Sequence, residues 1–314
     1  MKILFAAPEN AWGGFLPKIR QVLPEHTFEV TGRFGVDSLK GIQILIPTMT
    51  SISREMLTEA DELLLIQQCG VGLEGVDLEA ARDLKIKVAN VPSDISGNAD
   101  SVAELGIYLM IGLARGVRQM AQSLADRKMG QPQGRALRGL TVGLVGLGGI
   151  GQALIRRLKS FNVQLLGLKR NNPQKAKDEL GLDWAGGPED LEKLLKMADF
   201  VVLCLPLSPD SKQLMNRRTL ALMKQEAFLI NLSRGGLVDR NALEEALASG
   251  QIAGAGLDVF WEEPPDPQDP IFQYNVLATP HIAGSTDVSM RGIVQAVAEN
   301  IRRIEQTQEP LYLK

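Results

Sequence analysis

The chain has 314 residues, 45% hydrophobic and 23% charged, with a formal net charge of −3. That length allows two domains with large cores, and the near-neutral charge, without a basic tract, argues against nucleic acid as a partner. The most apolar stretch, residues 105–114, falls far short of the roughly 20 residues a membrane span needs. The opening seven residues reach Pro8 and Glu9 too early for a secretory signal.

In chain order, short apolar runs at 3–6, 28–31, 44–46, 63–67 and 87–89 read as strands. Helical spacing lies between them at about 15–23, 53–60 and 78–83. Such alternation implies a doubly wound parallel sheet. This half carries no Gly-x-Gly-x-x-Gly and is the candidate substrate domain. His26, between Glu25 and Thr27, is expected on the solvated surface. Residues 100–116 read as a long helix, apolar around most of its circumference, with Asp100 or Ser101 as N-cap and Glu104 near the first turn. A loop is expected at 130–134. Cys69 and Cys204 sit in or beside apolar runs, as small core residues of a reducing, cytoplasmic setting rather than a disulfide.

Residues 140–145 read as a buried strand, followed by Gly146, Gly148 and Gly151, a helix over about 152–161 and a second strand at 163–168. In that context the glycine pattern reads as a dinucleotide site. Gly146 permits the tight turn, Gly148 lets backbone approach a pyrophosphate, and Gly151 allows close helix–strand packing. The phosphates rest on the helix N-terminus, where Gly149 and Ile150 lie. Strands at 200–205, 228–232, 254–259 and 276–278 continue the sheet. A helix over 239–249 is capped by Asp239 and ended by Gly250, and a last amphipathic helix covers about 286–304.

The expected fold is α/β with two doubly wound parallel-sheet domains. A Rossmann-type dinucleotide-binding domain, residues 100–284, is inserted into a flavodoxin-like substrate-binding domain, residues 1–99 and 285–314. Two crossings at one hinge would let the domains close on a ligand and exclude water.

Three side chains stand out at expected carboxyl ends of strands, where open α/β sheets place ligands. His281 follows Thr279 and Pro280, Arg234 follows Asn231-Leu-Ser, and Glu263 ends the run from Asp258. A guanidinium holds a substrate carboxylate and polarises the adjacent carbonyl. A carboxylate on imidazole orients it and favours its protonated form, giving a general acid for ketone reduction. Read without further context, each could equally be a structural residue or a surface pair. Trp12, Met49 and Trp261 are candidate pocket walls, or simple packing residues.

The segments at 146–151, 231–236, 258–264 and 280–284, in this order and spacing, resemble the D-isomer-specific 2-hydroxyacid dehydrogenase family, over nearly the whole chain. The resemblance implies roles for Arg234 (carboxylate and carbonyl clamp), Glu263 (histidine partner) and His281 (acid/base). It also implies main-chain binding of the substrate carboxylate at Val71 and Gly72. Asp258 would face the nicotinamide amide, and Leu205 and Pro206 would line the cofactor cleft. The cofactor set is then Gly146, Gly148, Gly149, Ile150, Gly151, Lys169, Arg170, Leu205, Pro206, Ser233 and Asp258. Glu262 is the solvated neighbour.

The strand at 163–168 ends in Lys169 and Arg170, with no carboxylate in the 169–172 corner to bind a ribose 2′-hydroxyl. NADP is therefore expected over NAD. The family includes glyoxylate/hydroxypyruvate reductases, D-lactate dehydrogenases and phosphoglycerate dehydrogenases. Its formate dehydrogenases carry Gln where Glu263 stands. The end at Lys314, without a regulatory extension, weighs against phosphoglycerate. A glyoxylate/hydroxypyruvate-type reductase is the favoured reading; the alternatives are a D-lactate or D-3-phosphoglycerate dehydrogenase, or a dinucleotide-sensing corepressor-like binding protein on the same fold. A homodimer through helices around 100–130 is implied by the resemblance; no metal is expected.

Overall fold

A computed structural model describes residues 1–314, and the chain divides into two compact units, Met1–Asn98 with Ser285–Lys314, and Ala99–Gly284.

The first unit holds five parallel strands: β1 (Lys2–Phe5), β2 (Thr27–Val30), β3 (Ile44–Ile46), β4 (Leu65–Gln67) and β5 (Lys87–Ala89). Their order is β2-β1-β3-β4-β5, the flavodoxin-like arrangement. Successive side chains go to opposite faces, and both faces are covered. Ile3, Phe5, Ile44, Ile46 and Leu65 enter one core, while Leu4, Leu45 and Ile66 enter the other. The C-terminal helix Asp287–Glu305, capped by the Thr286 hydroxyl, returns to this unit. Its Met290, Val294, Val297, Ala298 and Ile301 recur at helical spacing and pack with Phe15 and Ile19 on the first of these cores.

The second unit holds β6 (Thr141–Val145), β7 (Gln164–Leu168), β8 (Trp184–Gly186), β9 (Phe200–Leu203), β10 (Phe228–Asn231), β11 (Gly254–Leu257) and β12 (Val276–Ala278). The sheet runs β12-β11-β10-β9-β6-β7-β8, all parallel. This is the doubly wound dinucleotide-binding order with one added strand, and its direction reverses between β6 and β9. Val142, Leu144, Phe200 and Val202 enter one core; Val145, Val201 and Leu203 enter the other.

Three local expectations are corrected. The long helix begins at Asn98 and ends at Ala114, so neither Asp100 nor Ser101 caps it. The Asp100 carboxylate instead accepts from Arg157 at 2.7 Å and from Arg156 at 3.2 Å, on the helix that follows β6. Beyond Gly116, left-handed at φ 65°, a separate helix Val117–Ala125 begins. His26 is buried, 7% exposed, because the turn before β2 lies under the end of the C-terminal helix. Its Nδ1 lies 3.1 Å from the Met1 amino nitrogen. Burial lowers its pKa and the amino group adds to this, against the opposite pull of Glu305 and Glu25. Both cysteines are free, and burial pushes each thiol up to about 12. No helix is long and apolar enough to cross a membrane.

Candidate active site

In the second unit the chain returns repeatedly to the carboxyl edge of the sheet. The glycine turn follows β6, Lys169 and Arg170 follow β7, and Leu205 and Pro206 follow β9. Ser233 and Arg234 follow β10, Asp258 and Glu263 follow β11, and His281 follows β12. The fold thus brings the second-unit site residues expected from sequence to one edge.

Each glycine of the turn has a separate reason. Gly146 sits at φ 105°, and a Cβ there would lie 2.7 Å from the Cys204 carbonyl oxygen. A Cβ on Gly151 would lie 2.3 Å from the carbonyl oxygen of Gly146, so helix and strand meet only without a side chain. Gly148, the N-cap of helix Gly149–Leu158, has open space where its Cβ would be. The first-turn N–H groups of Gly149, Ile150 and Gly151 lie outside the helix's own hydrogen-bond ladder. An open backbone at a helix N-terminus, beside the reversal point of the sheet, fits a dinucleotide pyrophosphate.

At the β7 corner, Arg170 is exposed and its guanidinium lies 3.4 Å from the Asp210 carboxylate. The sequence places no carboxylate between 169 and 172, and none is there; the loop after β9 supplies one from 40 residues on.

Arg234 is positioned by Asn231, a residue not singled out from sequence. The Asn231 amide donates to the Arg234 carbonyl at 2.8 Å while its oxygen accepts from the Ser233 N–H at 3.1 Å. The Ser233 hydroxyl donates to the Leu203 carbonyl, tying this turn to β9. An Asn closing a strand before Ser is a recognisable turn signal. The Arg234 guanidinium donates to the Ser233 carbonyl at 2.7 Å.

Glu263 and His281 meet directly. Oε2 of Glu263 lies 2.7 Å from Nδ1 of His281, and Oε1 accepts from the Phe260 N–H at 2.9 Å. A carboxylate at Nδ1 fixes the proton there and leaves Nε2 for chemistry. Burial alone would raise the Glu263 pKa. The His281 hydrogen bond and charge, the Phe260 N–H and the Arg234 charge outweigh it and hold the carboxyl below its ordinary value. Glu262 is exposed.

Asp258 is 1% exposed and grips the histidine loop. Its carboxylate accepts from the Thr279 hydroxyl at 2.7 Å and from the N–H groups of Ile282 at 2.9 Å and Ala283 at 3.1 Å. Burial raises its pKa, with those three donors and His281 pulling the other way. His281 itself stands at φ 52°, a left-handed conformation that L side chains adopt at a cost. The three bonds on both sides of it supply the constraint that holds such a residue in place.

In the first unit, Val71 and Gly72 lie in the loop after β4, with the Val71 carbonyl accepting from the Asn90 amide at 2.8 Å. Asn90 had no role in the sequence reading. Trp261 donates from its indole to the Val238 carbonyl and packs on the core; Trp12 lies against Phe34, and Met49 is exposed.

Residues 107–283 match the family model for the NAD-binding domain of D-isomer-specific 2-hydroxyacid dehydrogenases. The chain belongs to this family. Among its relatives, a D-3-phosphoglycerate dehydrogenase of Methanocaldococcus jannaschii is 36% identical over 274 residues, 86% of this chain. The chain spans only 51% of that longer relative. A glyoxylate reductase of Thermococcus litoralis is 34% identical over 276 residues, covering 85% of this chain and 81% of the relative. A crystal structure of a protein from Thermus thermophilus superposes with a TM-score of 0.84 at 32% identity, covering 100% of this chain and 99% of that one.

Proposed function

We propose that this 2-hydroxyacid dehydrogenase family member reduces a small 2-oxo acid, glyoxylate or hydroxypyruvate, to the D-2-hydroxy acid with NADPH. The observation that carries the reading is the 2.7 Å contact between Glu263 and His281, on the same sheet edge as Arg234 and the glycine turn.

When bound, a reduced dinucleotide would supply hydride to the substrate carbonyl carbon. The chain's own residues do the rest. The glycine turn and the first-turn N–H groups hold the pyrophosphate. Arg234 holds the carboxylate and polarises the neighbouring carbonyl. Glu263 orients the ring of His281, so that Nε2 gives a proton to the developing alkoxide oxygen.

Lys169 and Arg170 support NADPH, since a cationic strand end attracts a 2′-phosphate that a carboxylate would repel. A homodimer is supported by helix Val117–Ala125, which buries none of its residues within the chain, and by Leu124 and Met129, 76% and 88% exposed. Two free cysteines, Cys204 buried and Cys69 partly so, fit a cytoplasmic setting.

A panel of glyoxylate, hydroxypyruvate, pyruvate, phenylpyruvate and 3-phosphohydroxypyruvate, followed by nicotinamide absorbance with NADPH and NADH, tests the reading. Preference for either of the first two supports it. Preference for pyruvate or the phosphorylated acid reassigns the substrate. No turnover with any, alongside retained dinucleotide binding, favours a dinucleotide-sensing role.

A further inference from the structure

On the first unit, Glu25, His26 and Glu305 converge although Glu305 comes from the far end of the chain. The Nε2 atom of His26 is 3.7 Å from Oε1 of Glu25 and 3.8 Å from Oε2 of Glu305, and the three atoms lie within 4.8 Å of one another. The His26 side chain is 1% exposed, and Nε2 is buried without a hydrogen-bond partner. A buried ring nitrogen left in this way carries a desolvation cost that a ligand would offset. Both carboxylates are half-exposed.

We propose that Glu25, His26 and Glu305 form a zinc site that ties the end of the C-terminal helix to the turn before β2. One imidazole nitrogen and two carboxylate oxygens make a donor set zinc accepts, with water as the fourth ligand. Metal–ligand bonds of about 2.0–2.2 Å at a tetrahedral angle put neighbouring donor atoms about 3.4 Å apart. The two carboxylates therefore need to close on Nε2 by only a few tenths of an ångström. The histidine is buried, and the partners that would close on it lie at the surface.

The proton balance is defined. Zinc takes the Nε2 lone pair, so the neutral ring carries its proton on Nδ1, facing the Met1 amino nitrogen at 3.1 Å. Binding releases one proton to solvent. The other cation near the site, Arg302, is held by the Val22 carbonyl at 3.0 Å.

The test is zinc binding to the full-length chain by competition with a chromogenic chelator, and thermal unfolding with and without zinc. It uses wild type, Glu25→Gln and Glu305→Gln. Neither glutamate belongs to the candidate active site, and both lie half-exposed, so the folds survive. One zinc per chain is expected in wild type, with affinity at least about 10-fold weaker in each variant, since even outer partners of a metal site cost about that much. Zinc should raise the unfolding midpoint of wild type and move the variants less. No zinc uptake by wild type overturns the proposal. So does equal affinity in the variants, which would place the metal elsewhere, or a bound zinc that leaves the midpoint unmoved.

Discussion

The Glu263 carboxylate and the His281 imidazole stand 2.7 Å apart although the residues belong to loops after different strands. Glu263 is anchored at its other oxygen by the Phe260 N–H, and the His281 loop is anchored by Asp258. The pair is held from both sides.

Glu263→Gln keeps an acceptor for the ring but removes the negative charge beside it. Reduction consumes a proton, so its rate should fall as pH rises, and the variant, without the charge that holds the imidazole in place, should lie below wild type across that range. Stability carries the opposite signature. The Glu263 carboxyl is held below its ordinary value in the folded state. Its contribution is therefore present above the ordinary carboxylate range and lost as pH falls through the depressed value. The variant should lack that acid-side loss. Profiles of kcat/KM against pH and urea unfolding across the acid range check both. A variant rate profile that superimposes on wild type would remove Glu263 from the proton-holding role.

Asp258→Ala leaves the Thr279 hydroxyl and two N–H groups without their acceptor, which should cost at least about 2 kcal/mol of stability. It also releases the loop that holds His281 at φ 52°. We expect kcat to fall by at least about 10-fold, more than dinucleotide affinity does, because a displaced acid loses alignment with its target. Urea unfolding, dinucleotide titration and steady-state kinetics separate the effects. A loss confined to dinucleotide affinity would make the cofactor contact implied by the family resemblance its main role.

Much of this is legible in the sequence because parallel strands are buried on both faces. Runs such as 200–203 and 228–231 are apolar almost throughout and stand out without a partner. Strand β8 escapes a reading of the sequence because Trp184-Ala-Gly186 is an edge strand of three residues with no such run. The glycine turn is readable because its constraint is local. What cannot be read depends on residues far apart in sequence. Arg157 draws Asp100 away from capping, Asp258 fastens a loop more than 20 residues on, Asp210 reaches Arg170, and Glu305 covers His26. A polar residue's type says that it needs a partner, but the fold decides which one.

Cofactor choice should follow the corner after β7. Wild type is expected to favour NADPH over NADH by at least about 10-fold in kcat/KM, about 1.4 kcal/mol. Arg170→Ala should lower the NADPH value and leave NADH nearly unchanged. Asp210→Asn removes the carboxylate that competes for the guanidinium, 3.4 Å away, and should raise the NADPH preference. Kinetics with both cofactors on the three proteins decide it, and equal use of the two by wild type would refute the assignment.

His281 is expected to deliver the proton during 2-oxo acid reduction. This is tested most directly by comparing wild type with His281→Ala on hydroxypyruvate and glyoxylate, with dinucleotide binding measured in parallel by fluorescence. Reduction should fall by at least about 100-fold, within the range a positioned acid contributes, while dinucleotide affinity stays within a few-fold of wild type. Near-normal turnover by His281→Ala would contradict it.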